Sequence, residues 1–181
     1  NIPKMPMPNR INALYETFLY GGYGPTGMVV GQARTDSNKY FGWFQTLKYG
    51  DAWKSLNKKG GLHTGSPHGF DFFVSTKPVV KQQKKLEPTK YNNVLFANLL
   101  TLKFNITASA MGINPVGFGE LLYDEPATAG PFDGMMIKEI AAYADQIMMG
   151  WLVDTVDSRG KPAKAHMFMD ASAPGSFNDL N

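Results

Sequence analysis

Three side chains of one stretch could hold a metal ion. His63, His68 and Asp71 fall within LHTGSPHGFDFF, and imidazole nitrogens with a carboxylate are zinc-type ligands. Their spacing matches no defined ligand motif, and Gly65, Pro67 and Gly69 make the segment a loop. The competing reading is a pair of hydrogen-bonded structural histidines. A second chemistry is stacking on a flat ligand such as a sugar ring. Tyr23, Trp43 and Trp53, from the aromatic-dense first third, are the candidates.

Catalytic patterns are weaker. In Gly65-Ser66-Pro67-His68-Gly69 the serine stands second rather than third, so this is not a nucleophile elbow. Gly22, Gly24 and Gly27 formally spell GxGxxG. Pro25 stiffens that turn, MVVG is a poor helix start, and no acid follows at ribose-binding distance. A glycine–tyrosine turn is the better description. Paired carboxylates, Asp124/Glu125 and Asp154/Asp157, do not make acid–base machinery without a pocket. Residues 154–160 lack the core and closing Glu of a calcium loop. The sequon at Asn105 sits inside a predicted helix, a poor place for a glycan. The sequence asks for no cofactor and points to a non-enzymatic role.

The element expected to position everything else is 91–112. Asn98, Thr101, Asn105 and Ser109 share a narrow polar stripe on a helical wheel. Leucines and phenylalanines cover the rest, so such a helix needs burial on nearly all sides. Gly112 stands at its C-cap position. The strict alternation from Leu100 to Ala110 is the one strand-like signal against this. A second helix is predicted over 134–149, capped by Asp133, with an apolar stripe through Ile137, Ala141, Ala144 and Met148.

Ser75 or Thr76 would cap a third helix, with Val79, Val80, Gln83 and Leu86 inward and Lys77, Lys81, Lys84, Lys85 and Lys90 forming a basic face. Residues 9–20 fit a short helix or a strand, and 51–57 one or two helical turns. Two hairpins are expected: 27–34 with 39–47, and 151–157 with 163–169. The fold class is therefore α+β: two packed hydrophobic helices, a basic helix and two β-hairpins joined by long Gly/Pro loops. Residues 1–8 read as a proline-rich arm, 9–170 as one globular domain and 171–181 as a linker-like tail.

The 181 residues include 12 Phe, 8 Tyr and 3 Trp, enough apolar mass for a core. With no cysteine, disulfides, thiolate metal sites and a Cys nucleophile are excluded. No apolar run is long enough for a membrane span. A start at Asn1 rather than Met leads us to expect removal of an N-terminal segment, as in an exported protein or a fragment. Charge is unevenly placed. Residues 39–90 carry ten lysines against three acids, and 113–181 carry ten acids against four bases. Two halves with solvated faces account for this, and so does a polar subunit whose basic face meets a neighbour's acidic one. No arginine cluster or basic–aromatic pattern indicates nucleic acid.

The runs FANLLTLKFNITASAMGINPVGFGELLYD and FDGMMIKEIAAYADQIMMG resemble a two-helix segment in the C-terminal modules of large secreted bacterial cell-surface proteins. The resemblance spans residues 92–150. It implies a secreted or cell-surface setting and a non-enzymatic, structural role, with copies of itself or other domains of a longer chain as partners. A ligand-binding module for glycan or metal is the alternative expectation.

Overall fold

The computed structural model describes residues 7–34, 41–58, 61–70, 79–125, 130–149, 151–156, 159–160 and 162–167. The class is α+β. The central element is helix α3, Val94–Ala110. Asn93 caps it, its side-chain oxygen accepting from Phe96 N–H. At the other end Gly112 adopts φ +73°. Ile113 N–H then bonds Ala108 C=O, and Gly112 N–H bonds Ser109 C=O. That is a Schellman closure, which glycine makes at no steric cost. Burial is complete for Leu95, Phe96, Leu99 and Leu100 but partial from Leu102 to Thr107. The helix is thus enclosed over its first half and again at Ala108 and Ser109 in its last turn, with a half-exposed middle. Asn98 and Thr101 face water, whereas Ser109 is buried, donating to Pro115 C=O at 2.6 Å.

Helix α4, Ile137–Met149, lies against α3 and buries Ala141, Ala144, Ile147 and Met148. The expected cap is corrected. Glu139, not Asp133, accepts from a backbone N–H at the helix start, that of Met136, at 2.9 Å. Asp133 instead accepts from Glu125 N–H. The intervening FDGMM turn, with Gly134 at φ +76°, delays helix entry by three residues relative to expectation.

Two further helices complete the layer: α1, Met7–Leu19, and α2, Tyr49–Leu56. Met7 and Pro8 belong to α1 rather than to an extended arm, since proline is tolerated in a first helical turn. Residues 1–6 and the 171–181 tail lie outside the described residues.

The first hairpin forms as expected, with β1 (Met28–Val30) antiparallel to β2 (Gly42–Thr46) and Val30 opposite Phe44. The second forms as β4 (Trp151–Val156) against β5 (Pro162–Met167).

The basic helix does not form over its described part. Lys81–Gln83 is instead strand β3, parallel to β2 with Gly42 opposite Lys81. Fewer than three turns separate Pro78 from Pro88, so a helix there would be short and marginal on its own, and β-branched Val79-Val80 prefers extension. The edge of β2 supplies the hydrogen bonds: Lys81 N–H donates to Phe41 C=O at 2.8 Å. The expected caps Ser75 and Thr76 are outside the described residues. Gly42 is required here, because a Cβ would sit 2.2 Å from Val79 O.

The core lies between this sheet and the helices. Phe96 meets Phe44 edge-on at 5.4 Å between centroids, with Phe70 at 6.1 Å and Tyr91 at 5.9 Å. Such ring pairs add about 0.5–1.5 kcal/mol each beyond their burial.

Candidate functional site

His63 and His68 do converge, but on an asparagine. His63 is buried. Its Nε2 lies 2.6 Å from Ser55 O, and its Nδ1 accepts from Asn93 N–H at 3.0 Å. This fixes the Nε2–H tautomer and leaves no lone pair for an ion. Burial pushes the imidazole's pKa below its ordinary value. Asn93 Nδ2 donates to His68 O at 2.7 Å and to the Tyr91 hydroxyl at 3.0 Å. The His68 ring stands edge-on to Tyr91 at 5.4 Å. Next door, Asn92 Oδ1 accepts from Thr64 and Gly65 N–H, and Val94 N–H donates to Gly65 O. The histidines therefore staple the 63–70 loop to the start of α3. Asp71 lies outside the described residues. Among those described, no group of three metal-ligating side chains assembles.

The aromatic candidates are not brought together. Trp43 is only 3 % exposed, with Nε1–H bonded to Gln45 Oε1, so no external sugar can stack on it. Its position on the central strand places it in the core. Tyr23 packs on Phe18 at 4.7 Å. Its hydroxyl is buried; Thr107 neighbours it but donates its own hydroxyl to Lys103 O, and among the described residues no hydrogen bond of sound geometry reaches it. Burial raises the phenol well above the usual tyrosine range. Trp53 alone stays accessible, 37 % exposed on α2. One turn away Tyr49 shares its face of the helix, and Tyr15 of α1 meets Tyr49 edge-on at 4.9 Å. Tyr15 was not singled out by sequence, whereas Tyr49 belongs to the aromatic-dense stretch of which an exposed subset could stack. The i, i+4 spacing of Tyr49 and Trp53 was the available signal.

Tyr23 also lines a cavity of about 390 Å³ between the turn before β1 and helices α3 and α4. On its wall Lys103 pairs with Asp145, and Gly31 N–H donates to Asp145 Oδ1 at 2.8 Å. Burial is the larger influence on Asp145 and lifts its carboxyl above the ordinary range despite those partners. This part-buried ion pair locks α4 to α3 and to the residue after β1, and each charge neutralises the other on the cavity wall.

A groove of about 690 Å³ runs along 79–91, bordered also by Lys58. Val79, Leu86 and Tyr91 give it an apolar floor, and Lys58, Lys84, Lys85 and Lys90 surround it. Helix α2 holds the wall in place. Ser55 Oγ accepts from Leu86 N–H at 3.0 Å, Lys58 pairs with Glu87, and Lys85 stands 3.8 Å from Asp51. The Lys58 ammonium holds the Glu87 carboxyl below its usual pKa. Among the described residues no carboxylate is within ion-pair distance of Lys84 or Lys90. Positive charge thus exceeds negative at the rim. Lys84, Lys85 and Lys90 belong to the basic face expected on a helix; they lie instead on the irregular segment after β3, around the groove, where Lys58 joins them. Compared with family models, with curated proteins and with solved structures, the chain shows no match.

Proposed function

We propose that this chain is a non-enzymatic interaction subunit of an extracellular bacterial assembly, and that its basic groove receives an acidic protein surface. One observation carries the reading: an apolar floor ringed by four lysines, two of them without a described carboxylate partner. An apolar centre with a charged rim is how protein interfaces divide affinity from orientation. The extracellular setting is supported only by the resemblance of residues 92–150. The test is titration with a labelled glutamate-rich peptide at low ionic strength. Wild type should bind with an affinity that falls as salt rises, and K84E/K90E should lose about tenfold or more. Absence of binding by wild type, or equal binding by both, overturns the reading.

A second reading, glycan binding, is favoured by the exposed Tyr15–Tyr49–Trp53 cluster. A glycan array should then show retention that Trp53→Ala and Tyr49→Ala abolish and Trp43→Phe leaves intact.

A further inference from the structure

The surface opposite the groove has complementary chemistry. After α3 the chain runs through Val116, a 3-10 turn at Phe118–Glu120, and the segment Leu121–Glu125. Val116, Leu121 and Leu122 are 78 %, 56 % and 63 % exposed, a concentration of large apolar side chains in water. Tyr123 beside them is exposed too, and Glu120, Asp124 and Glu125 supply negative charge that the one nearby cation, Lys138 at 3.5 Å from Glu120, offsets only in part among the described residues.

The segment is held rigidly. Leu122 bridges Met136, Tyr123 N–H donates to Met135 O, and Ile137 N–H donates to Leu121 O. Ser109 Oγ further ties Pro115 and Phe118 to the last turn of α3. The ridge is therefore preorganised, which lowers the ordering cost of binding.

The two surfaces sit at opposite ends of one rod. The groove residues Leu86–Tyr91 lead directly into the N-terminus of α3, and the ridge follows its C-terminus. Seventeen residues at 1.5 Å rise separate them by roughly 25 Å. Helix α4 returns antiparallel: it starts at the ridge, and Met148 O, in its last turn, accepts from Phe70 N–H beside Tyr91. A groove cannot reach the ridge of its own molecule across that span.

We propose that copies of this chain associate head to tail, the apolar–acidic ridge of one seated in the basic groove of the next. This rests on the groove reading above and names its partner. Unlike surfaces paired in this way form a heterologous contact, which propagates into a ring or filament rather than stopping at a dimer.

The test uses two variants of the intact chain: K84E/K90E in the groove and L121S/L122S on the ridge. All four side chains are exposed, so thermal unfolding should match wild type. In sedimentation velocity at low ionic strength, wild type should grow past the dimer with concentration. Each variant alone should remain monomeric. Their equimolar mixture should stop at a one-to-one dimer, since one intact groove and one intact ridge remain. A wild type that stays monomeric, a variant that still polymerises, or a mixture that forms no dimer overturns the proposal. If wild type stays monomeric yet binds the glutamate-rich peptide through Lys84 and Lys90, self-association falls and the groove reading stands. If it does neither, both fall.

Discussion

At the scale of single residues, Asn93 carries more than any other polar side chain. It caps α3, donates its backbone N–H to His63, and satisfies both His68 O and the Tyr91 hydroxyl. Asn93→Ala removes the cap and strands buried partners, which should cost about 2–4 kcal/mol of stability in chemical denaturation. His63 adds a pH dependence. Its folded pKa lies below the ordinary 6.5, so the unfolded chain takes up a proton more readily. The contribution is complete above about pH 6.5 and is lost as pH falls below it. The unfolding midpoint should therefore drop between about pH 7 and pH 5.5, and His63→Gln should flatten that slope while lowering stability throughout. Equal slopes would contradict the assignment. Sequence showed that these histidines were placed for hydrogen bonding or for a metal. It could not show which, because Asn93 joins them only after the chain doubles back across some thirty positions.

At the scale of elements, periodicity was legible where it was long. Helices α3 and α4 and both hairpins follow from apolar spacing, and Gly112 marks the end of α3, although the cap of α4 is Glu139 rather than the expected Asp133. The strand β3 was not legible, because its stability comes from a partner about forty residues away. Lys81 even accepts φ +61°, a conformation unfavourable for a side chain with a Cβ. The Gly42 contact makes a sharp test. Gly42→Ala drives a methyl into the Val79 carbonyl, so β3 must separate from β2. Destabilisation of about 3 kcal/mol or more is expected, with loss of peptide binding because the groove wall moves. A variant with wild-type stability would show that β3 is not seated as described. Trp43 illustrates the complementary miss: as an aromatic it suited a sugar, but it is buried on the face of β2 opposite Phe44, its Nε1–H held by Gln45.

At the scale of the whole molecule, the charge imbalance seen in the sequence becomes a polarity in space. Lysines gather at the N-terminal end of α3, and an acidic, apolar ridge stands at its other end. Among the described residues no helix is long and apolar enough to cross a membrane, and the ridge leucines Leu121 and Leu122 follow a 3-10 turn rather than lying along a helix face. Association driven this way should weaken as salt shortens the screening length from about 10 Å at 0.1 M to about 3 Å at 1 M. Light scattering across a salt series should show the mean mass falling towards that of the 20.0 kDa chain. Mass that rises with salt would indicate an apolar contact without the charge complementarity argued above.

Function turns most on where the groove lies and what it accepts. Amide NMR of the isotope-labelled chain, titrated with a glutamate-rich peptide at low ionic strength, locates that contact directly. The structure predicts shifts concentrated at Gln83–Tyr91 and Lys58, reversed by added salt. Shifts centred elsewhere, or none at all, would contradict it.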